Sequence, residues 1–370
     1  MIRPALAIFA VLALIGAGSA SAHGHQGHHG RGGVVFVQTN EPGGNKIDVF
    51  NQGSDGRLSL AGAYPTGGLG GIAAPGTESD HLATQGSLAL AGDTLIAVNA
   101  GSDTVTSFRV HRNRLQIRSL VSSGGQFPAS VAVSGNLVYV LNSGGSGVVS
   151  GFWLRGSRLV PIPGSARSLG LANGDPPNFL TAPGQVGFTP DGRMLLVTTK
   201  ASTSSIDVFA VGHDGRLSAT PVVNPSATPV PFAFTFGSGR LVDGEAGASS
   251  VTTYAVGAGG TLSDPRSASD GQTALCWILR VGNVYYVSNT GSSTLSSFTV
   301  DSAGTPSLLQ AVAATTNPGP IDLATSGGYL YAETGTNGTV DEFAVNSDGT
   351  LTPIGTVAGL PPGLEGIAAS

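Results

Sequence analysis

Repetition is what most limits the folds open to this chain. An aromatic residue closes a short alternating strand at Phe50, Phe108, Phe152, Phe209, Tyr254, Phe298 and Phe343, with gaps of 58, 44, 57, 45, 44 and 45 residues. A period of ~40–50 residues is that of a propeller blade, and two longer gaps read as insertions. Inside a unit the strand logic is legible. SLALAGDTLIAVNAGSDTVTSFRVHRNRLQIRSL gives four strands with turns at AGD, NAGSD and HRNR, and SVAVSGNLVYVLNSGGSGVVSGFWLRGSRLVPI repeats it. The turn between third and fourth strands is SDGRL from Ser54, HDGRL from His213 and SDGTL from Ser347. Asp-Gly supplies the positive φ that tight hairpins need. With 57 glycines, a positive mean hydropathy and almost no helix-period pattern, the composition agrees with tightly turned β-structure.

The two ends of the repeat region are each incomplete. GGVVFVQTN corresponds to a second strand, and GLEGIAAS at Gly363–Ser370 reads as an innermost strand with nothing after it. The expectation is that residues 364–370 pair with the strand at Val34–Gln38, completing the first blade and removing a sheet edge. The fold class is all-β: a seven-bladed β-propeller over residues 34–370, with four antiparallel strands per blade.

Residues 1–22, MIRPALAIFAVLALIGAGSASA, carry an early Arg3, an apolar run and a small-residue ending, which predicts a signal peptide and a secreted or periplasmic protein. No other stretch is long and apolar enough to span a membrane. Residues 23–33, HGHQGHHGRGG, form a His/Gly-rich flexible arm. With cleavage before His23, the free amine, two backbone nitrogens and the His25 imidazole make a square-planar set for Cu²⁺ or Ni²⁺, while the propeller itself requires no cofactor. Without Arg3 the chain has 16 basic and 22 acidic residues, a net charge of −6, and no basic cluster. Nucleic acid is therefore not expected as a partner. Cys276, in ALCWIL, has no second cysteine to pair with and reads as a buried inert thiol. Asn337-Gly338-Thr339 fits a glycosylation acceptor but reads more simply as a turn.

TPDGRMLLVTTKASTSSIDVF, VYYVSNTGSSTLSSFTV and SDGTLTPIG resemble the seven-bladed lactonase-like propellers, the family of bacterial 6-phosphogluconolactonases and carboxymuconate-lactonising enzymes. VSNTG is also similar to YVTN-type repeats of secreted and surface proteins. The resemblance implies a propeller and a hydrolase that opens a lactone. One stretch departs from the family. Its Gly-Pro-Arg-His-like segment reads Ala182-Pro183-Gly184-Gln185 here, and its Asn-Glu pair reads Thr199-Lys200.

Blade topology places the start of each innermost strand and the loop after each second strand on one rim. Both insertions, near Gly67–Gly86 and Leu169–Gly184, connect an outer strand to the next inner one and fall on that rim. Long loops around a channel mouth favour ligand binding. The rim candidates are Glu245 or Glu333 as a base and Lys200 as an electrophilic donor, with Gln85, Gln185, Asp322 and His81 as ligand contacts. A base that activates water and donors that hold an oxyanion are what lactone opening needs. Acids at Glu245 and Glu333 stand where Asn99, Asn142 and Asn289 occupy equivalent loops. There is no Gly-x-Ser-x-Gly elbow and no zinc-like spacing in the repeats. Two functions stay open: a lactone hydrolase or binder of a small polar ligand, and a non-catalytic scaffold for a protein or a cell-surface polymer.

Overall fold

The structure is a computed structural model that describes residues 32–76 and 78–370. The leader expected at 1–22 and the metal site expected at His23 and His25 lie outside the described residues.

Seven antiparallel sheets form a ring. Blade 1 is Ile367–Ala369, Val34–Gln38, Lys46–Gln52 and Leu58–Pro65, from the inside outwards. Blades 2 to 7 begin on the inner strands Leu88–Ala91, Pro128–Ser134, Gln185–Phe188, Pro231–Gly237, Leu275–Val281 and Pro320–Ser326. Each inner strand touches the next. Ile367–Ala369 touches both Leu88–Ala91 and Pro320–Ser326, which closes the ring.

The hydrophobic residues divide into seven clusters, one between each pair of neighbouring blades. Phe36, Ile47, Leu95 and Phe108 fill the wedge between blades 1 and 2. Tyr139, Val149, Leu195 and Phe209 fill that between blades 3 and 4. The remaining five wedges are built alike. A second strand has a neighbouring sheet on both faces, so Thr94–Asn99 and Leu137–Asn142 are buried at every position. An outer strand such as Leu262–Ser269 faces water and is largely polar. The recurring aromatic lies on the third strand of every blade and is buried each time. The sequence period is thus a period of inter-blade packing.

Closure follows the expected pairing, Val35 with Ala369, Phe36 with Ala368 and Val37 with Ile367. The regular strand is only three residues long. Before it, Gly366 takes φ +118°, a value suited to glycine, and its carbonyl accepts the Gln38 amide at 2.8 Å. Blade 3 departs from the four-strand pattern. Its outer strand stops at Pro161, and Arg167–Ser168 pairs separately with Val148–Val149. Proline has no N–H for a ladder, so Pro161 and Pro163 break the outer strand.

Both insertions lie on the expected rim and bind one another. The Ala74 amide donates to the Pro177 carbonyl at 2.7 Å, and the Phe179 amide to the Ala74 carbonyl at 3.1 Å. Among the described residues no helix is long and apolar enough to cross a membrane.

Candidate functional site

The first insertion does more than edge the channel: it crosses it. From the start of blade 2 it reaches blade 6, where Trp277 Nε1 donates to the Thr84 carbonyl at 3.0 Å and Gln85 exchanges two bonds with the Ile278 backbone at 3.0 and 3.2 Å. On the blade 3 side, Thr84 donates to the Ala129 carbonyl at 2.9 Å and Ser130 to the Gln85 carbonyl at 2.7 Å. The C-terminal segment holds it from blade 1, with Glu365 accepting the Leu82 amide at 2.5 Å and the Thr84 amide at 3.3 Å. Leu82, Ala83 and Thr84 are consequently buried.

Beside this crossing segment, over blades 4 to 6, lies a pocket of about 330 Å³. Its walls are mostly apolar: Phe179, Leu180, Val230, Phe232, Ala274 and Cys276. Two charged residues line it, Lys200 and Asp80. Lys200 is only 1% exposed and sits in a left-handed turn after the second strand of blade 4, with φ +46°. Its ammonium donates to the Ala83 carbonyl at 2.7 Å and the Phe179 carbonyl at 2.5 Å, one in each insertion, and lies 5.0 Å above the Phe232 ring. Two of its three N–H groups are thereby used. Burial lowers its pKa to about 8, against the pull of Asp80, Cys276 and Glu365 in the other direction.

Asp80 accepts the Ala83 amide at 2.6 Å and shares a hydrogen bond with Glu365. Burial raises its pKa to about 6, although the Lys200 ammonium opposes the shift. Behind it stands a string of buried carboxyls. Glu365 and Glu333 are pushed well above the usual range by burial, each with a like-charged neighbour adding to the effect. Asp322 is raised to about 7, chiefly by burial, with three backbone amides opposing. Glu333 accepts the Gly366 amide at 2.9 Å through Oε2, while Oε1 has no hydrogen-bond partner among the described residues. Among those residues no group of His, Cys, Asp and Glu is arranged to hold a metal ion.

The residues singled out in the sequence are distributed unevenly. Only Lys200 lines the pocket. Gln85 pins the crossing segment, and Gln185 accepts the Phe234 amide at 2.6 Å, joining blades 4 and 5. His81 lies in the crossing segment with its imidazole against Gly363, where it leaves no room for a Cβ, and Gly363 also takes a φ of +70°, which favours glycine. Burial lowers the His81 pKa. Asp322 and Glu333 stand behind Glu365. Glu245 is fully buried between blades 4 and 5, where its carboxylate accepts the hydroxyls of Thr228, Thr252 and Tyr254. That set of bonds ties the second and third strands of blade 5 to the segment ahead of its first strand, and Glu245 is not in the pocket lining.

Asp80 and Glu365 escaped the sequence reading. Each had a signal. Asp80 precedes His81 in the longer insertion, and Glu365 is the one charge in the terminal segment GLEGIAAS, which otherwise consists of small and apolar residues.

Residues 265–363 match the family profile of the lactonase seven-bladed β-propellers. No curated protein matches the sequence. Among solved structures, a protein of Lactobacillus plantarum superposes with TM-score 0.70 at 18% identity, over 91% of this chain and 98% of its own. The periplasmic gluconolactonase of Pseudomonas aeruginosa gives 0.69 at 19% identity, over 90% and 98%. A candidate 6-phosphogluconolactonase of Bacteroides uniformis gives 0.68 at 18%, over 92% and 100%. With seven blades and an end-to-end strand closure, the chain is a seven-bladed β-propeller whose residues 265–363, in blades 5 to 7, match the lactonase family.

Proposed function

We propose that the rim pocket binds and hydrolyses a lactone, with Asp80 as general base and Lys200 as the donor to the developing oxyanion. One observation carries this reading. A carboxyl and an ammonium line the same apolar-walled pocket, and burial moves their pKa values towards neutrality from opposite sides. Paired groups displaced in this way are suited to acid–base work near pH 7.

In the proposed reaction the lactone carbonyl oxygen takes the one Lys200 N–H not spent on Ala83 and Phe179. Asp80 accepts a proton from a water molecule as its oxygen bonds to the carbonyl carbon. The tetrahedral intermediate then collapses, the ring C–O bond breaks, and the leaving alkoxide takes the proton held by Asp80. The product is an open hydroxy acid. The largely apolar walls offer few competing polar groups around the attacking water, which strengthens the Lys200 interaction with the oxyanion. The activities named for the solved structures of the same fold agree with this chemistry. The leader at 1–22 and the periplasmic setting of the Pseudomonas protein support export, which N-terminal sequencing of the mature chain would test.

Hydrolysis is tested by pH-stat assay of a lactone panel with wild type, Asp80→Asn and Lys200→Met. Turnover lost in both variants, with folding retained, is the expected result. Equal turnover in wild type and Asp80→Asn would remove Asp80 from the chemistry. If no lactone is opened or bound, the scaffold reading takes its place.

A further inference from the structure

We infer that the ligand of the rim pocket is an apolar lactone bearing an alkyl or aryl substituent, not a polyhydroxylated sugar lactone; this rests on the lactone reading above. The polar side chains of the pocket are few. Ser79, Asp80, Lys200 and Thr290 supply them, whereas Phe179, Leu180, Val230, Phe232, Ala274 and Cys276 make most of the remaining walls. The Thr290 hydroxyl, also at the wall, already donates to the Pro320 carbonyl at 2.9 Å. An aldonolactone carries a hydroxyl on nearly every ring carbon. Enclosed here, most of those hydroxyls would lose water and find no partner, a cost of roughly 1–3 kcal/mol for each by general experience with buried polar groups. A ring ester with a hydrocarbon substituent has few polar atoms to satisfy, which matches a lining with few polar side chains.

Rigidity and size agree with that match. Phe232 packs on Trp277 with ring centroids 4.7 Å apart, which fixes the rear wall. Leu180 is 54% exposed and so stands at the mouth, where a substituent would pass. A volume of about 330 Å³ is at the small end of the ~300–1,000 Å³ usual for ligand pockets. It accommodates a single ring with a chain of moderate length.

The test is a chain-length series: γ-butyrolactone, γ-hexalactone and γ-decalactone against glucono-δ-lactone, assayed by pH-stat with wild type, Asp80→Asn and Leu180→Asn. kcat/KM should rise roughly fourfold per added methylene until the pocket is full, the transfer value of one buried CH₂. Leu180→Asn should lower kcat/KM for γ-decalactone more than for γ-butyrolactone. A flat series with glucono-δ-lactone as the best substrate, still dependent on Asp80, overturns the apolar assignment and leaves lactone hydrolysis standing. If nothing is hydrolysed, the hydrolysis reading falls and the matching γ-lactams decide the ligand class by thermal shift. A melting temperature raised by the long-chain lactam and not by the short one supports an apolar ring ligand; no shift from either overturns it.

Discussion

The Lys200 ammonium lies 2.7 Å from the carbonyl oxygen of Ala83, so a blade 4 turn grips the segment that crosses the channel. The same nitrogen holds Phe179 in the second insertion. One buried cation therefore fastens both rim loops and lines the pocket they enclose. Placement of the site and stability of its cover are joined at this residue.

Lys200→Met should therefore have two effects. Loss of an oxyanion donor typically costs about 10²–10³ in kcat. The insertions should also loosen, because two carbonyls lose their donor. Limited proteolysis reads the second effect as faster cleavage within residues 66–87 or 169–184. Activity lost with an unchanged cleavage pattern would separate the catalytic part from the fastening part.

The pH dependence of turnover follows from the two displaced groups. Asp80 must be ionised to accept a proton, so kcat/KM should rise as pH passes about 6. Lys200 must be protonated to donate, so the rate should fall above about 8. A bell centred near 7 is expected in a plot of log kcat/KM against pH. Asp80→Asn should abolish the acid limb in any residual activity. A wild-type profile that stays level between pH 5 and 9 would exclude both assignments.

Stability should run against the usual acid-denaturation trend. Asp80, Asp322, Glu333 and Glu365 all have raised pKa values in the folded chain. The folded state then binds more protons than the unfolded one, so the stability linked to these groups is complete below about 4 and falls as pH rises, that of Asp80 and Asp322 being lost through about 6 and 7. Asp322, moved from 3.8 to about 7, contributes on the order of 4 kcal/mol over that window at ~1.4 kcal/mol per unit. Lys200 acts in the opposite sense. Its folded pKa is depressed, so some stability returns between about 8 and 10.5. Melting curves should give a higher Tm at pH 5 than at pH 8, with a partial recovery towards pH 10.

Glu245 makes a different prediction. Its buried carboxylate satisfies three hydroxyls, and Tyr254 in turn accepts the Ala227 amide at 2.8 Å. Glu245→Ala would leave those hydroxyls without their acceptor, at ~1–3 kcal/mol for each buried group left unpaired. A loss of about 3 kcal/mol or more in urea unfolding is expected, with kcat/KM of the surviving folded protein changed little. A rate loss without a stability loss would return Glu245 to the site.

The fold was legible because its signal repeats. Seven aromatics on seven third strands, and Asp-Gly turns such as Asp55-Gly56 and Asp214-Gly215, are local features written many times over. The site was written once. Lys200 stood out as a charge because the Asn-Glu pair of the resembling family reads Thr199-Lys200 here. Asp80 reaches the pocket only because the first insertion crosses the channel, and a loop's path across a ring leaves no periodic mark. Glu245 ends its second strand, four residues after the Leu241 that pairs with Tyr254, whereas Glu333 comes only three residues after the Leu330 that pairs with Phe343. One is therefore bonded to hydroxyls between blades 4 and 5, and the other, on the opposite face of its sheet, stands behind Glu365. Thr334, not Glu333, is the counterpart of Glu245, and that offset of one residue turns the two acids to opposite faces.

Closure supplies the last test, because the closing segment does two things at once. Ile367–Ala369 completes blade 1, and Glu365 just before it holds Leu82 and Thr84 of the crossing segment. Deleting residues 364–370 exposes the Val34–Gln38 strand as an edge and removes Leu364 and Ile367 from the wedge between blades 7 and 1. Burial of those two side chains is worth ~1.5–3 kcal/mol each, so Tm should fall by many degrees. Glu365→Ala is the milder companion: it keeps the strand but leaves the Leu82 and Thr84 amides without their acceptor. It should lower Tm by less than the deletion while raising hydrogen exchange at residues 82–84 selectively. A truncated chain that melts like the full one would refute the closure, and unchanged exchange in Glu365→Ala would refute its link to the channel segment.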